Sequence, residues 1–377
     1  MPIQQSRESL CCHHIFTKAV HFWDGMKYFG VADCSDRVEL AGSSPARVSD
    51  TADLVGKGTV SISSPLQARW YFVIWIAVGW ISQSASAQDP PFLRLPTLGG
   101  PIYWTDLVVH GDWRVQRNEV TGHYRLLDSV ERVVLRGSCI DDCYQELQTR
   151  IRCGQLAPMP KHVVIVMHGL AGSRRLMGGM ARYLENEGEY TVLNVGFAST
   201  LGTIQQQTLA LESVLRNLCG VECVSFVCHS QSNIMVRHLL YRMQHQRYPP
   251  PIRFNRMVMI SPPNHGTNMA DTVGQRAFFQ WSLGEVVDQF ALTKGWPCLE
   301  PQLETPWFEF GIIAGGKCDE DGYLELLPGD DDGIVPIRSH YLEGAADFTQ
   351  LGGLHQIMPT FRRTQEAALR FLKQGRF

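Results

Sequence analysis

The chain shows almost no imbalance of charge. Thirty-four Lys and Arg stand against 37 Asp and Glu, a formal net charge of −3, and the cations are scattered rather than drawn into a stripe. That removes the electrostatic footprint of a nucleic-acid binder. Neither an internal repeat nor a glycine-rich phosphate loop occurs, which sets aside solenoids and P-loop chemistry. No paired Cys-x-x-Cys is present, so no zinc site is expected. Asp319, Glu320 and Asp321 do not complete a calcium loop either. Neither a metal nor a cofactor is therefore expected. The longest apolar run falls short of the roughly 20 residues a bilayer span needs. What is present is globular: 377 residues, 44% hydrophobic and 19% charged, enough for a large core.

Residues 1–65 show neither helical nor alternating periodicity and carry Cys11, Cys12 and Cys34. Arg69 then precedes an apolar run, 70–81, followed by Ser82-Gln83-Ser84-Ala85-Ser86-Ala87-Gln88. A basic residue, a short apolar stretch and an Ala-x-Ala ending make a secretory signal over 66–87, cleaved after Ala87. The expectation is an exported protein, secreted or periplasmic, that begins at Gln88 and lacks residues 1–65. A buried or peripheral helix is the plainer alternative for 70–81. Eight cysteines follow Ala87, and an oxidising compartment permits disulfides. Cys139–Cys143, Cys219–Cys223 and Cys298–Cys318 are the candidate pairs, with connectivity left open.

The stretch 88–101 is proline-rich and reads as an arm or linker. Strands 113–116 and 123–127 make a hairpin around 118–122, and 130–135 is another strand. Helical spacing covers 141–152. From His162 the pattern alternates. Strands are expected at 162–167, 191–197, 221–227, 256–260, 308–314 and 347–351, and helices at 176–187, 204–218, 233–243 and 359–371. Such alternation predicts an α/β protein with a mostly parallel central sheet and helices on both faces. Between about 262 and 307 the alternation breaks. Phe278, Phe279, Trp281, Leu283, Val286, Val287, Phe290, Leu292 and Trp296 crowd this stretch. It reads as a helical lid or cap inserted over an apolar pocket, or more plainly as a crossover helix with its loop.

Cys228-His229-Ser230-Gln231-Ser232 lies between the strand 221–227 and the helix 233–243. A serine at such a strand-to-helix turn is placed to attack a carbonyl, provided a base, an orienting acid and an oxyanion site exist elsewhere. The plainer reading of Ser230 is a helix N-cap. Ser232 falls inside the first helical turn and reads as packing or capping. Cys228, at the strand end, reads as a buried and inert thiol.

Four segments carry a resemblance to the α/β-hydrolase superfamily, in its lipase and esterase branch. They are Val166-Met167-His168-Gly169-Leu170-Ala171-Gly172, the serine turn, Gly329-Asp330-Asp331-Asp332-Gly333-Ile334-Val335-Pro336, and Gly352-Gly353-Leu354-His355. Pro262-Pro263-Asn264-His265-Gly266 adds a fifth. The chain departs from the family's Gly-x-Ser-x-Gly by placing Cys228 and Ser232 at the glycines, both small enough for a tight turn. The resemblance implies Ser230 as nucleophile, His355 as general base, Asp332 as acid, and an oxyanion hole from the backbone N–H groups of Leu170 and Gln231. Asp330 is the second choice of acid. His340 is the other histidine beyond the acid loop, and His168 and His229 take packing and loop-shaping roles. The function so implied is hydrolysis of carboxylic esters, of lipid or other hydrophobic acyl substrates, through an acyl-enzyme. Transient contact with lipid surfaces goes with such substrates. An acyltransferase or thioesterase on the same fold, and a non-catalytic hydrolase-like binding protein, stand as alternatives.

Overall fold

The computed structural model describes residues 100–247, 249–273 and 286–377. The extension 1–65, the signal segment 66–87, most of the proline-rich arm and the aromatic centre of the insertion (Phe278, Phe279, Trp281 and Leu283) lie outside the described residues.

The described chain opens with a 3-10 turn, Gly100–Tyr103, and four strands, β1 Trp104–His110, β2 Trp113–Asn118, β3 Tyr124–Leu127 and β4 Val133–Gly137, then helix α1 Ile140–Arg152. The alternating part follows as β5 His162–Met167, α2 Arg174–Gly188, β6 Val192–Val195, α3 Ile204–Arg216, β7 Cys223–His229, α4 Gln231–His245 and β8 Arg253–Ile260. Three short helices come next, α5 Asn268–Val273, α6 Val286–Phe290 and α7 Trp296–Leu299. The chain closes with β9 Glu309–Gly316, α8 Ile337–His340, β10 Asp347–Gly352, a 3-10 turn His355–Thr360 and α9 Arg362–Gln374.

The first four strands form their own antiparallel meander, and β5 to β10 form a six-stranded sheet in the order β10-β9-β8-β7-β5-β6. Every pair in the larger sheet is parallel. Its strands are apolar on both faces because both faces are covered. Along β5, Val163, Ile165 and Met167 enter one core with α3 and α4, while Val164 and Val166 enter the other with α2 and α9. Residues alternate because successive strand side chains point to opposite faces. The same split recurs in β8, with Met257 and Met259 on one side and Val258 and Ile260 on the other.

Several expectations need correction. The sequence reading left 102–112 without an element, yet β1 is a strand buried along Thr105–His110. Its Asp106 looks like a surface residue in sequence but is 1% exposed. It accepts from Arg114 (3.0 Å), Gln116 (2.7 Å) and the Gly196 amide (2.7 Å). That last bond ties β1 to the end of β6, and β6 stops at Val195 rather than 197. β4 starts at Val133 rather than 130, because Asp128 Oδ1 accepts from the amides of Val130 and Arg132 and folds that stretch into a turn.

No disulfide joins any of the eight described cysteines. Cys143 is buried with Leu107, Leu126 and Leu147 under the small sheet, while Cys139 is exposed at the start of α1. Cys219 lies in the turn before β7, and Cys223 is the first residue of that strand. Cys298 and Cys318 are exposed on separate elements, α7 and the loop after β9. The described flanks of the insertion pack inward. Val286, Val287, Phe290, Ala291, Trp296 and Leu299 are buried members of the main core cluster beside α3 and α4.

Candidate active site

The order of the large sheet creates the site. From β5 the chain moves outward to β6, then returns across β5 to β7. At such a reversal the carboxyl ends of the two neighbouring strands send their loops in opposite directions and leave a crevice between them. β5 delivers His168-Gly169-Leu170 to that crevice and β7 delivers Ser230. The loop after β9 brings Asp332, and the 3-10 turn after β10 brings His355.

Ser230 sits at φ 56° and ψ −122°. A non-glycine residue held there stores about 1–3 kcal/mol of strain, which persists only when the surroundings enforce it. They do so through several bonds. The Ser230 amide donates to Ile260 O at 2.9 Å. Ser232 Oγ accepts from the His229 amide at 3.0 Å and reaches Met167 O at 3.1 Å, bolting the turn to β5. Ser232 is thus structural. Cys228 is fully buried, and burial pushes its thiol pKa up, away from thiolate.

The Ser230 hydroxyl caps nothing in α4. Its Oγ lies 2.7 Å from His355 Nε2, and His355 Nδ1 lies 2.7 Å from Asp332 Oδ2. The structure therefore brings together the three side chains expected from sequence. The neighbouring aspartates have other partners. Asp330 accepts from the amides of Lys317 and Cys318, both at 2.9 Å, and from the Gln350 side chain. Asp331 accepts from the Gly333 amide at 2.6 Å and the Leu324 amide at 3.1 Å.

Asp332 is fully buried. Burial alone would raise its pKa. The imidazoles of His355 and His340 outweigh burial and hold the carboxyl well below the usual carboxylate range. Its Oδ1 accepts from the amides of Ile334 (3.1 Å) and Val335 (2.8 Å), so the carboxylate is fixed as well as charged.

His229 Nε2–H donates to the His355 carbonyl at 2.9 Å and so anchors the backbone of His355. Burial, then the nearby His355, depresses the His229 pKa to about 3, which keeps it neutral. His168 stacks on Phe197 at 4.4 Å between centroids, and burial lowers its pKa to about 4. Both fill the packing roles expected of them.

The loop after β5 passes hard against the serine. A Cβ at Gly169 would meet Ser230 Cβ at 2.7 Å and His229 Nδ1 at 3.1 Å. Only glycine allows that approach, and Leu170 follows directly. Gln231 is the first residue of α4, so its amide belongs to the first turn, which has no partner within the helix. The positive end of α4 thus begins beside Ser230 Oγ. Ser230 is 7% and His355 2% exposed, which makes the centre nearly dry. A separate surface cavity of about 340 Å³, lined by Cys223, Arg253, Phe254 and Trp307, lies at the opposite, amino ends of β7 and β8.

Sequence reasoning weighed His340 only as a rival base. It lies instead beside Asp332, with Nε2 3.4 Å from Asp332 Oδ2. It also missed Asn264 and Arg237. Asn264 Nδ2 donates to His340 O at 2.8 Å, and Arg237 donates to Asn264 O at 2.9 Å. Composition gave no sign of these contacts, which exist only once α4, α8 and the loop after β8 have packed.

No family model matches the chain, and no curated protein matches it. Solved structures do resemble it. The lipase BlEst2 of Bacillus licheniformis, in its mature form, is 20% identical, with 53% of this chain and 87% of that chain covered and a TM-score of 0.43. The product of gene lin2722 of Listeria innocua is 18% identical, with 57% and 94% covered and a TM-score of 0.42. The phospholipase PlaB of Legionella pneumophila is 16% identical, with 57% and 60% covered and a TM-score of 0.42. The chain's own features are a parallel sheet wound from β5, helices on both faces, and a strained serine turn at the carboxyl end of β7 beside the loop of β5. With those features, this chain has the α/β-hydrolase fold.

Proposed function

We propose that the protein is a serine hydrolase of carboxylic esters. One observation carries this reading: a strained, nearly buried serine in 2.7 Å contact with an imidazole, which is itself in 2.7 Å contact with a buried carboxylate. His355 takes the Ser230 proton as Oγ attacks the ester carbonyl. Asp332 fixes the tautomer with Nδ1–H toward itself and balances the imidazolium that forms. The amides of Gln231 and Leu170 receive the oxyanion. His355 then protonates the leaving alcohol, and the acyl group rests on Ser230. Water, deprotonated by His355, releases the acid and restores the serine.

An apolar acyl group suits the rim. Leu354 (38% exposed) and Ile357 (40% exposed), close to His355 along the chain, are exposed apolar side chains. Lipid or other hydrophobic acyl esters are the substrate class this favours. Hydrolysis of p-nitrophenyl esters across a series from acetyl to long acyl chains tests it. The expected kcat/KM rises with chain length. Activity confined to acetyl and butyryl esters would remove the lipid reading, and no hydrolysis of any member would remove the esterase reading. Export after cleavage at Ala87 belongs to the same proposal and rests on the signal motif alone.

Gly169→Ala separates the oxyanion loop from the rest. The added methyl must push the loop away from Ser230 Cβ, and Leu170 moves with it. Loss of one oxyanion donor typically costs about 10²- to 10³-fold in kcat. Such a drop, with Ser230 still present, is the expected outcome. Wild-type kcat in the Ala variant would show that the Leu170 amide plays no part.

A further inference from the structure

Asp332 has about four lone-pair positions as a carboxylate; three groups hydrogen-bond to it and a fourth lies close by. Oδ1 takes the amides of Ile334 and Val335. Oδ2 faces two imidazoles, His355 Nδ1 at 2.7 Å and His340 Nε2 at 3.4 Å. His340 is fully buried. Its other nitrogen, Nδ1, lies 3.0 Å from the carbonyl oxygen of Pro262. Both ring nitrogens of His340 therefore face oxygens that can only accept. A neutral imidazole has one bare lone pair. With the proton on Nδ1, that lone pair would sit against the carboxylate. With the proton on Nε2, it would sit against the carbonyl. At 3.4 Å the Nε2 contact is an ion-pair distance and not a hydrogen bond, and Nε2 has no hydrogen-bond partner among the described residues.

The ring is held from behind. Asn264 donates to the His340 carbonyl, and the Ser339 hydroxyl donates to Gly266 O. These bonds join α8 to the loop after β8. The charged and titratable groups around the ring come from three places. Asp332 and, beyond it, His355 lie on one side, with His229 next to His355. Arg237 of α4 lies behind Asn264. Asp330 and Asp331 are turned to the amides of Lys317, Cys318, Leu324 and Gly333.

We propose that His340 is a positioning residue for the acid, carrying a proton on both ring nitrogens in the resting enzyme and clamping the same carboxylate oxygen that orients His355. The inference rests on the hydrolase reading for its consequence, not for its geometry. A cation on the far side of Asp332 offsets part of the negative charge felt by the reacting imidazole. The base then stays unprotonated, and the enzyme active, to lower pH than with Asp332 alone.

His340→Gln tests this, since the amide can still donate to Pro262 O but carries no charge. The acid limb of the kcat/KM profile should move to higher pH by about one unit, the low end of a nearby-charge effect. A histidine with only a packing role would lower the melting temperature and leave the limb in place. The independent readout is the imidazole nitrogen spectrum of ¹⁵N-histidine-labelled wild type at pH 7, which needs no folded variant. Two protonated nitrogens on His340 support the proposal. One bare nitrogen overturns it, as does an unmoved acid limb in a folded Gln variant. If wild type hydrolyses nothing, the hydrolase reading fails by itself, and the nitrogen spectrum still decides the state of His340.

Discussion

Ser230→Ala is expected to lower ester kcat/KM by on the order of 10⁶-fold, the scale seen when a triad nucleophile is removed. The residue's chemistry and its structural role are separable here. Its backbone makes the turn, through the amide bond to Ile260 O, and alanine keeps that bond. Its hydroxyl caps no helix and touches His355 Nε2 alone among the described side-chain contacts. Alanine inherits the positive φ and its strain, so stability should change by only about 1 kcal/mol, the scale of one lost hydrogen bond. A thermal melt beside the kinetic assay checks both halves. Near-wild-type turnover in a folded Ala variant would leave the enzyme without its proposed nucleophile.

Asp332→Asn is the second large effect, expected at about 10⁴-fold in kcat. The reason is a tautomer. Oδ1 is held by the amides of Ile334 and Val335, so the asparagine oxygen keeps that side and the NH₂ group faces His355 Nδ1. His355 must then accept on Nδ1 and carry its proton on Nε2, where it can no longer take one from Ser230. Asp330→Asn is the control. Asp330 ties together the amides of Lys317 and Cys318, and its loss should cost stability while kcat stays within about tenfold of wild type. Inverted results for the two variants would move the acid to Asp330. Stability adds a pH signature. The Asp332 pKa is depressed in the folded state, so its contribution is present above the ordinary carboxylate range and lost as pH falls below it. The Asn variant should therefore trail wild type most at neutral pH, with the gap closing in acid.

The large sheet was legible because β5, β7 and β8 carry apolar residues on both faces, a pattern that follows from a sheet covered twice. β1 was not. Asp106, Arg114 and Gln116 form a buried polar set whose members look like surface residues until they are paired. In the insertion, aromatic density alone does not say which surface it covers. Phe290 and Trp296 pack inward. The cysteine pairs failed for a related reason: spacing along the chain did not show that Cys143 points into the core. Within the site, the serine turn and His355 were placed by their order beside strands. The choice among three aspartates came from the resemblance, and the contacts now give each aspartate its own partners. His340 was out of reach, since its contact with Asp332 depends on how α8 folds back against Pro262.

Labelling of the intact protein with a fluorophosphonate, followed by mass spectrometry of its peptides, tests the central claim most directly. The account predicts one phosphonate adduct, on the Ser230 hydroxyl, and none in Ser230→Ala. A folded wild-type protein that takes no label, or takes it on Ser232 instead, would contradict it.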